Sequence, residues 1–425
     1  MRIWFIQVGE PLPLLNSQNR LWRTGLMAEL FVEQGHSVLW WSSAWDHQQK
    51  KHYITETQKI SIGENFYIFF IKSFGYKRNI SMRRLAEHHA VAKKFSMLAV
   101  KESKPDVIIA SYPTIEMCYE AVLYATHNNV PIIIDIRDKW PDLFYDVLPP
   151  IIRKSVKYLA FWLERKANYV FKHCTAITAN GPEPVQWALT RGGRVGGAYD
   201  RYFPMAYKKN EFTESELVDA LQFWEKKGIR KQNNDFIILY IGVVNCISRD
   251  LTTLVKAGVA LSSMNKKIKI VICGKGEDVG RLEKLAGDNE NIIFSGWINK
   301  FQIEAILMMT SVGVNPTRSM DNFQNGVTNK PIEYLSAGLP VVACITKGYL
   351  WNLLTEYHCG FGYIENDDAS LASMIEQLYD NPELLQIAKT QARRLFDERF
   401  NSQQVYGSYL SMVDDLVMNR RKIVE

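Results

Sequence analysis

Short apolar runs alternate with stretches of helical spacing through the first 205 residues: Ile3 to Val8, a helix from about Asn19 to Gln34, Ser37 to Trp41, then Val107 to Ala110, Ile132 to Ile134 and Ala176 to Ala179. Runs this short, interleaved with 3.6-residue periodicity, predict parallel strands wrapped by helices. The theme restarts at Phe236 to Ile241 and continues through Ile268 to Cys273, Ile292 to Phe294, Val312 to Val314 and Val341 to Ala343. The pattern therefore predicts an α/β protein of two tandem doubly wound, Rossmann-like domains facing across a cleft, with ligands at the carboxyl ends of the strands. Pro204 to Phe212 has little apolar periodicity and contains Lys208-Lys209-Asn210, which places the linker there and the domains at 1–205 and 206–401. Ser402 to Val417 reads as a closing helix, with Val405, Tyr409, Met412 and Leu416 along one face.

Composition narrows the class. A chain of 425 residues with 47% hydrophobic content suffices for two ordinary domains, each with a sizeable core. No run of about 18 uncharged apolar residues occurs, and Met1 to Ile6 enters a strand without the features of a secretory leader, so a cytoplasmic protein is expected. The six cysteines, Cys118, Cys174, Cys246, Cys273, Cys344 and Cys359, form no C-x-x-C pair and read as reduced core thiols. Net charge is +6, unevenly spread: residues 1–205 carry 26 Lys and Arg against 18 Asp and Glu, the remaining 220 carry 25 against 27. A basic first half suits a phosphate-rich or membrane-surface partner. Nucleic acid is not expected as a partner, since there is no Cys/His finger, basic helix-turn-helix pattern or basic tail.

The segment Thr328-Asn329-Lys330-Pro331-Ile332-Glu333-Tyr334-Leu335-Ser336-Ala337-Gly338 concentrates helix punctuation: Thr328 or Asn329 as cap, Pro331 in the first turn, Gly338 as the stop before a strand. A helix starting beside a strand end offers N–H groups to a phosphate. Glu333 on its first turn has two readings, acceptor of hydrogen bonds from a ribose diol or dipole-stabilising acid. The segment resembles the donor-site signature of glycosyltransferase family 4, retaining enzymes of the two-domain GT-B fold. Leu239-Tyr240-Ile241-Gly242 with Asp250 to Leu254, Ile270 to Glu277, and Asn291 to Ile298 resemble the family's preceding strands and turns in order. Asp135-Ile136-Arg137-Asp138-Lys139-Trp140-Pro141 resembles bacterial surface-polysaccharide enzymes (O-antigen, capsule), including N-acetylfucosamine transferases.

That resemblance implies metal-independent, front-face transfer of a sugar, of the N-acetylated amino or deoxy kind, from a UDP-sugar co-substrate to a polyprenyl-diphosphate-linked saccharide. It implies no other cofactor and a last helix, 402–425, crossing back to the first domain. Donor contacts are expected at Gly242, Arg249, Gly274, Lys275, Trp297, Ile298, Arg318, Asn325, Thr328 and Asn329, and catalytic roles at Lys330, Glu333 and, in the acceptor half, Asp138. Two departures stand in the donor site: Asn325 where many members have Glu, and Val243 where many have Arg. The cationic phosphate role therefore moves to Lys330, with Arg249 and Arg318 as candidates, because a departing diphosphate needs compensating charge. No Asp-x-Asp occurs, and no bound metal is expected.

In the acceptor half, Arg137, Asp138 and Trp140 follow the strand Ile132 to Ile134 and so occupy a loop at its carboxyl end. Asp138 suits orienting an acceptor hydroxyl, Arg137 meeting an anion and Trp140 presenting a plate to a sugar; an Arg–Asp pair stiffening the turn before Pro141 is the other reading. Arg20 and Arg23, at the first helix start, are positioned to approach phosphates or to be solvated. His47 and His52 lack a third ligand and read as surface or acceptor-loop residues. Over 151–171 a single helix is predicted, with Ile152, Val156, Leu159, Leu163 and Val170 inward and Lys154, Lys157, Arg165, Tyr158, Phe161 and Trp162 opposite. That basic-aromatic face fits the inner leaflet of a membrane or burial under loops. A nucleotide-sugar 2-epimerase and a catalytically silent subunit of a polysaccharide complex are the rival functions. A nicotinamide oxidoreductase fits poorly, since Gly280 falls one place late for G-x-G-x-x-G after Gly274 and Gly276.

Overall fold

The computed structural model describes residues 1–425 except 15–20, 79–80, 147–148, 210–211, 231–232, 265, 319–326, 328, 345 and 425. The chain divides into two compact units, Met1–Pro204 with Val405–Glu425, and Met205–Gln404. Among the described residues, no helix is long and apolar enough to cross a membrane.

The first unit is built on strands β1 (Arg2–Ile6), β2 (Ser37–Ser43), β3 (Trp45–Asp46), β4 (Lys51–His52), β5 (Gln58–Gly63), β6 (Phe66–Ile71), β7 (Val107–Tyr112), β8 (Ile132–Ile136), β9 (Ala176–Ala179) and β10 (Arg201–Tyr202). Eight of them form a sheet in the order β10-β9-β8-β7-β1-β2-β6-β5, while β3 and β4 pair as a separate hairpin. Apolar side chains on both faces of the central strands explain their burial: Ile3, Trp4, Phe5 and Ile6 are all sealed, and Trp41 stacks on Phe69 at 4.3 Å. The β5–β6 hairpin was absent from the strands predicted above and adds an antiparallel edge. Its outer strand is largely exposed, so no apolar run announces it.

The predicted helix over 151–171 is two helices, Pro150–Leu159 and Phe161–His173. The chain bends at Ala160 (φ −91°, ψ 14°), whose carbonyl accepts from both Leu163 N and Glu164 N and so restarts the helix. No Gly or Pro marks the break, which is why periodicity runs across it. Leu163 and Val170 are buried as predicted, whereas the side chains of Ile152, Lys154, Val156 and Leu159 lie outside the described ones. On the opposite sheet face the closing helix runs Ser402–Val424, past the apolar periodicity that ends at Val417. Its Tyr409 ring lies 4.8 Å from Phe203 and 6.4 Å from Phe31.

The second unit holds β11 (Phe236–Ile241), β12 (Ile268–Cys273), β13 (Ile292–Gly296), β14 (Val312–Asn315), β15 (Val341–Ala343) and β16 (Gly360–Gly362), in the order β13-β12-β11-β14-β15-β16. Every pairing is parallel. Strand order reverses between β11 and β14, and in the first unit between β1 and β7. Such switch points open a crevice beyond the carboxyl ends of the strands.

Candidate functional site

In the second unit, three strand ends are tied side by side. Gly242 N donates to Cys273 O (2.8 Å), Gly274 N to Gly296 O (2.8 Å), and Val244 N to Lys275 O (3.0 Å). The turns interlock because they lack side chains: a Cβ on Gly274 would lie 1.8 Å from the Gly242 carbonyl oxygen, and one on Gly276 would lie 1.9 Å from that of Val244. Gly242, at φ +154°, faces Lys330 so closely that a Cβ would fall 2.0 Å from Lys330 Cε and 2.7 Å from Nζ. The Lys330 ammonium thus lies across the β11 turn.

Lys330 comes from the Asn329–Ser336 helix, which is locked to the sheet by Tyr334. The Tyr334 hydroxyl accepts from Ile241 N (3.0 Å), and its ring occupies space that only a glycine at position 313 leaves open. Gly338, at φ +71°, stops the helix, with Leu339 N returning to Tyr334 O. Glu333, one turn in, is 3% exposed. Asn329 is helical and not the cap; Thr328 and Asn325 lie outside the described residues.

Arg249 reaches the same turn. Its charge opposes the burial that pushes the Tyr240 phenol up to about 12, and the Tyr240 hydroxyl donates to Val243 O at 2.7 Å. Arg318, the other expected cation, is committed elsewhere: it pairs with Asp250 (3.2 Å) and Glu365 (2.8 Å), and its Nε donates to Cys246 O. With two carboxylates on one guanidinium, it braces a loop and has less charge left for the phosphate role expected of it. Lys275 is exposed on the β12 turn and Trp297 is 57% exposed after β13. The Ile298 side chain is core, so only its backbone can meet a ligand.

In the first unit the loop after β8 is anchored by a buried ion network. Arg23, read above as approaching a phosphate or being solvated, does neither and is sealed: its Nε and Nη2 each donate to Asp135 at 3.1 Å, and Nη1 donates to Phe203 O at 2.6 Å. Arg137 Nη2 meets the second oxygen of Asp135 at 2.8 Å and Glu10 at 3.5 Å, and donates to Thr24 and Ser111. Burial alone would raise the Asp135 carboxyl, but Arg137 and Arg23 outweigh it and hold it below the ordinary carboxylate value. The arginine of the loop therefore pairs with Asp135 inside the sheet, so the alternative reading of an Arg–Asp pair holds with Asp135 as the partner in place of Asp138. Arg20 lies outside the described residues.

Asp138 is exposed at the loop, yet its surroundings cost it enough hydration to raise its carboxyl above the usual value, against the pull of Arg137 and Arg84. The Trp140 ring carries Arg84 on one face, Cζ 5.2 Å from the ring, so at most one face serves a sugar. Arg84 and Tyr76, which the sequence reading did not include, stand beside these residues with His47, read above as a surface or acceptor-loop residue. The signal was present as the aromatic-basic string Phe74-Gly75-Tyr76-Lys77-Arg78 before Arg83-Arg84.

Residues 222–395 match the glycosyl transferases group 1 family. The putative glycosyltransferase EpsD of Bacillus subtilis (strain 168) is 23% identical over 228 residues, covering 52% of this chain and 57% of EpsD. The chain thus spans about half the length of the curated relatives it matches, 57% and 54%. Sucrose-phosphate synthase from Thermosynechococcus elongatus superimposes with a TM-score of 0.70 at 14% identity, covering 98% of this chain and 99% of that one. Anabaena HepE in complex with UDP-glucose gives 0.62 at 14% identity, covering 98% and 100%. The architecture is that of the GT-B glycosyltransferases, two Rossmann-like domains.

Proposed function

We propose that the protein is a retaining glycosyltransferase that moves a sugar from a UDP-sugar to a polyprenyl-diphosphate-linked saccharide in surface-polysaccharide synthesis. The observation that carries this reading is Lys330 lying across the Gly242 turn, on the helix whose next turn buries Glu333. A cation at interlocked glycine turns, beside the N-terminus of a helix, suits a diphosphate whose negative charge grows as the sugar leaves. Glu333 then accepts from the ribose hydroxyls, and Arg249 adds charge where Val243 supplies none. In front-face transfer the departing phosphate takes the acceptor proton, so the protein's work is positioning and charge stabilisation, with Asp138 orienting the acceptor hydroxyl.

A surface in the first unit supports a membrane-borne acceptor. Ile151 is 92%, Tyr158 83%, Phe161 59% and Trp162 43% exposed around the Ala160 bend. Arg165 lies over Phe161 at 5.6 Å and Lys166 over Trp162 at 5.5 Å, so cations and aromatics present together, as an interfacial surface does.

Calorimetric titration with UDP, GDP and NAD tests the donor site. UDP is expected to bind selectively and to weaken at least tenfold, about 1.4 kcal/mol, in Glu333→Ala and in Lys330→Ala. Failure of UDP to bind folded protein would favour the silent-subunit reading, and release of an epimerised UDP-sugar without acceptor would favour the epimerase.

A further inference from the structure

A pocket of about 420 Å³ in the first unit is lined by Trp45, Phe74, Tyr76, Lys77, Arg78 and Arg83. The β3–β4 hairpin supplies the indole, and the start of the Met82–Ala99 helix supplies the base. Gly75, at φ +68°, builds the wall: a Cβ there would fall 2.4 Å from the Trp45 ring, so only glycine lets the indole lie against the backbone. Arg83 Nε donates to Gly75 O at 2.8 Å and its guanidinium lies 5.2 Å over Phe74.

The charge of this pocket is unbalanced in a specific way. The helix starts Met82-Arg83-Arg84, has no acid in its first turn and is capped by Ser81, whose Oγ accepts from Arg84 N. Cations at the positive end of a helix repel its dipole, and an anion relieves the repulsion. Lys77 and Arg78 add to the excess, and Lys50 lies 4.9 Å over the Tyr76 ring. Facing them are two carboxylates already engaged: Glu87 accepts from Gly75 N at 2.9 Å, and Asp46 accepts from Gln48 N and Gln49 N. The field reaches the neighbouring imidazoles. Burial, Lys50 and Arg84 push His47 down to about 4, and burial, Arg84 and His47 push His88 down to about 3. His47 is therefore uncharged at neutral pH and bonded to the Tyr76 hydroxyl at 2.5 Å.

We propose that this pocket is a subsite for a glycosyl phosphate, its sugar ring against Trp45 and the exposed Phe74 and its phosphate at the helix start with Lys77 and Arg78. Aromatic planes alone would suit a neutral sugar, and cations alone an inorganic anion; the two sharing one wall select a ligand with both parts. As the phosphorylated portion of the acceptor, this ligand rests on the transfer reaction proposed above, whereas its binding does not.

The experiment is calorimetry with N-acetylglucosamine 1-phosphate, N-acetylglucosamine and inorganic phosphate, on the full chain and on Lys77→Ala/Arg78→Ala, with UDP titrated in parallel. The sugar phosphate is expected to bind at least tenfold tighter than either fragment and to lose tenfold or more in the double variant, with UDP binding unchanged. Both replaced side chains are exposed, so the fold should survive. Equal affinity in wild type and variant, equal affinity for sugar and sugar phosphate, or no binding by protein that still binds UDP would each overturn the proposal. Sugar phosphate binding in protein that fails to bind UDP would leave the pocket standing and remove the donor-site reading. Farnesyl-diphosphate-linked N-acetylglucosamine separates the sources: tighter binding than the soluble compound assigns the group to a lipid carrier, and equal binding assigns it to a soluble sugar phosphate.

Discussion

Gly274→Ala isolates the geometry of the interlocked glycine turns. The new methyl would sit 1.8 Å from the Gly242 carbonyl oxygen, where contacts under 3.0 Å are essentially never seen, so the carbonyl must retreat by more than ~1 Å. It cannot do so cheaply, because Gly242 N is bonded to Cys273 O and Lys330 presses on the same residue. Position 274 also has φ +142°, a conformation that L side chains rarely adopt. Steric overlap costs ~1–3 kcal/mol and the backbone conformation a similar amount, so a loss of about 3–5 kcal/mol is expected. Because the displaced carbonyl belongs to the turn proposed to hold the diphosphate, UDP affinity should fall by tenfold or more in whatever protein remains folded. Gly280→Ala is the matched control: nothing lies within 4 Å of its Cβ position, and on a helix the change should be neutral or stabilise by up to ~1 kcal/mol. Urea unfolding and UDP calorimetry on both variants decide the matter. Wild-type stability and affinity in Gly274→Ala would refute the interlock.

Asp135→Asn should destabilise the first unit by ~3–5 kcal/mol, since it leaves Arg23 buried with its main counter-charge gone; a change under ~1 kcal/mol in urea unfolding would contradict the network. Stability should also fall with acid through His88, whose folded value near 3 lies below the ordinary 6.5. The unfolded chain takes up the proton first, so the contribution is full above pH 6.5 and declines below it. By pH 5 the loss should be about 2 kcal/mol, and His88→Leu should flatten that part of the profile; parallel profiles would count against it. Co-sedimentation with vesicles should rise with anionic lipid content and drop severalfold in Phe161→Ser/Trp162→Ser, whereas binding indifferent to both would remove the membrane surface.

The fold was legible where local and global requirements coincide. Phe236–Ile241 is apolar on every residue, and Ile268–Cys273 on all but Lys269, because both faces are covered, and the Asn329–Ser336 helix carries Pro331 in its first turn and Gly338 just past its end. The half-exposed β5 offers no such run, and the bend at Ala160 is set by carbonyl bonding that leaves no mark on periodicity. Site residues were read less well, for a physical reason. Whether an arginine meets substrate depends on which acids reach it, and those come from far along the chain: Arg23 to Asp135, Arg318 to Glu365. The placement of Lys330 and Glu333 together on one short helix was legible because its punctuation, Pro331 and Gly338, is written in adjacent residues.

The closing helix has a consequence for biosynthesis. Tyr409 bonds Thr178, which in turn donates to Asp135, and the Tyr406 and Tyr409 rings lie 5.7 and 5.8 Å from the Arg23 guanidinium. Those rings emerge from the ribosome only after the whole of Met205–Gln404 has been made. At roughly 5–20 residues per second, the nascent first unit waits on the order of 10–40 s with this face of its sheet uncovered. Its neighbour, continuous in sequence, can finish folding in that interval. A premature stop near residue 400 would therefore spare the unit it falls in and cripple the one translated first.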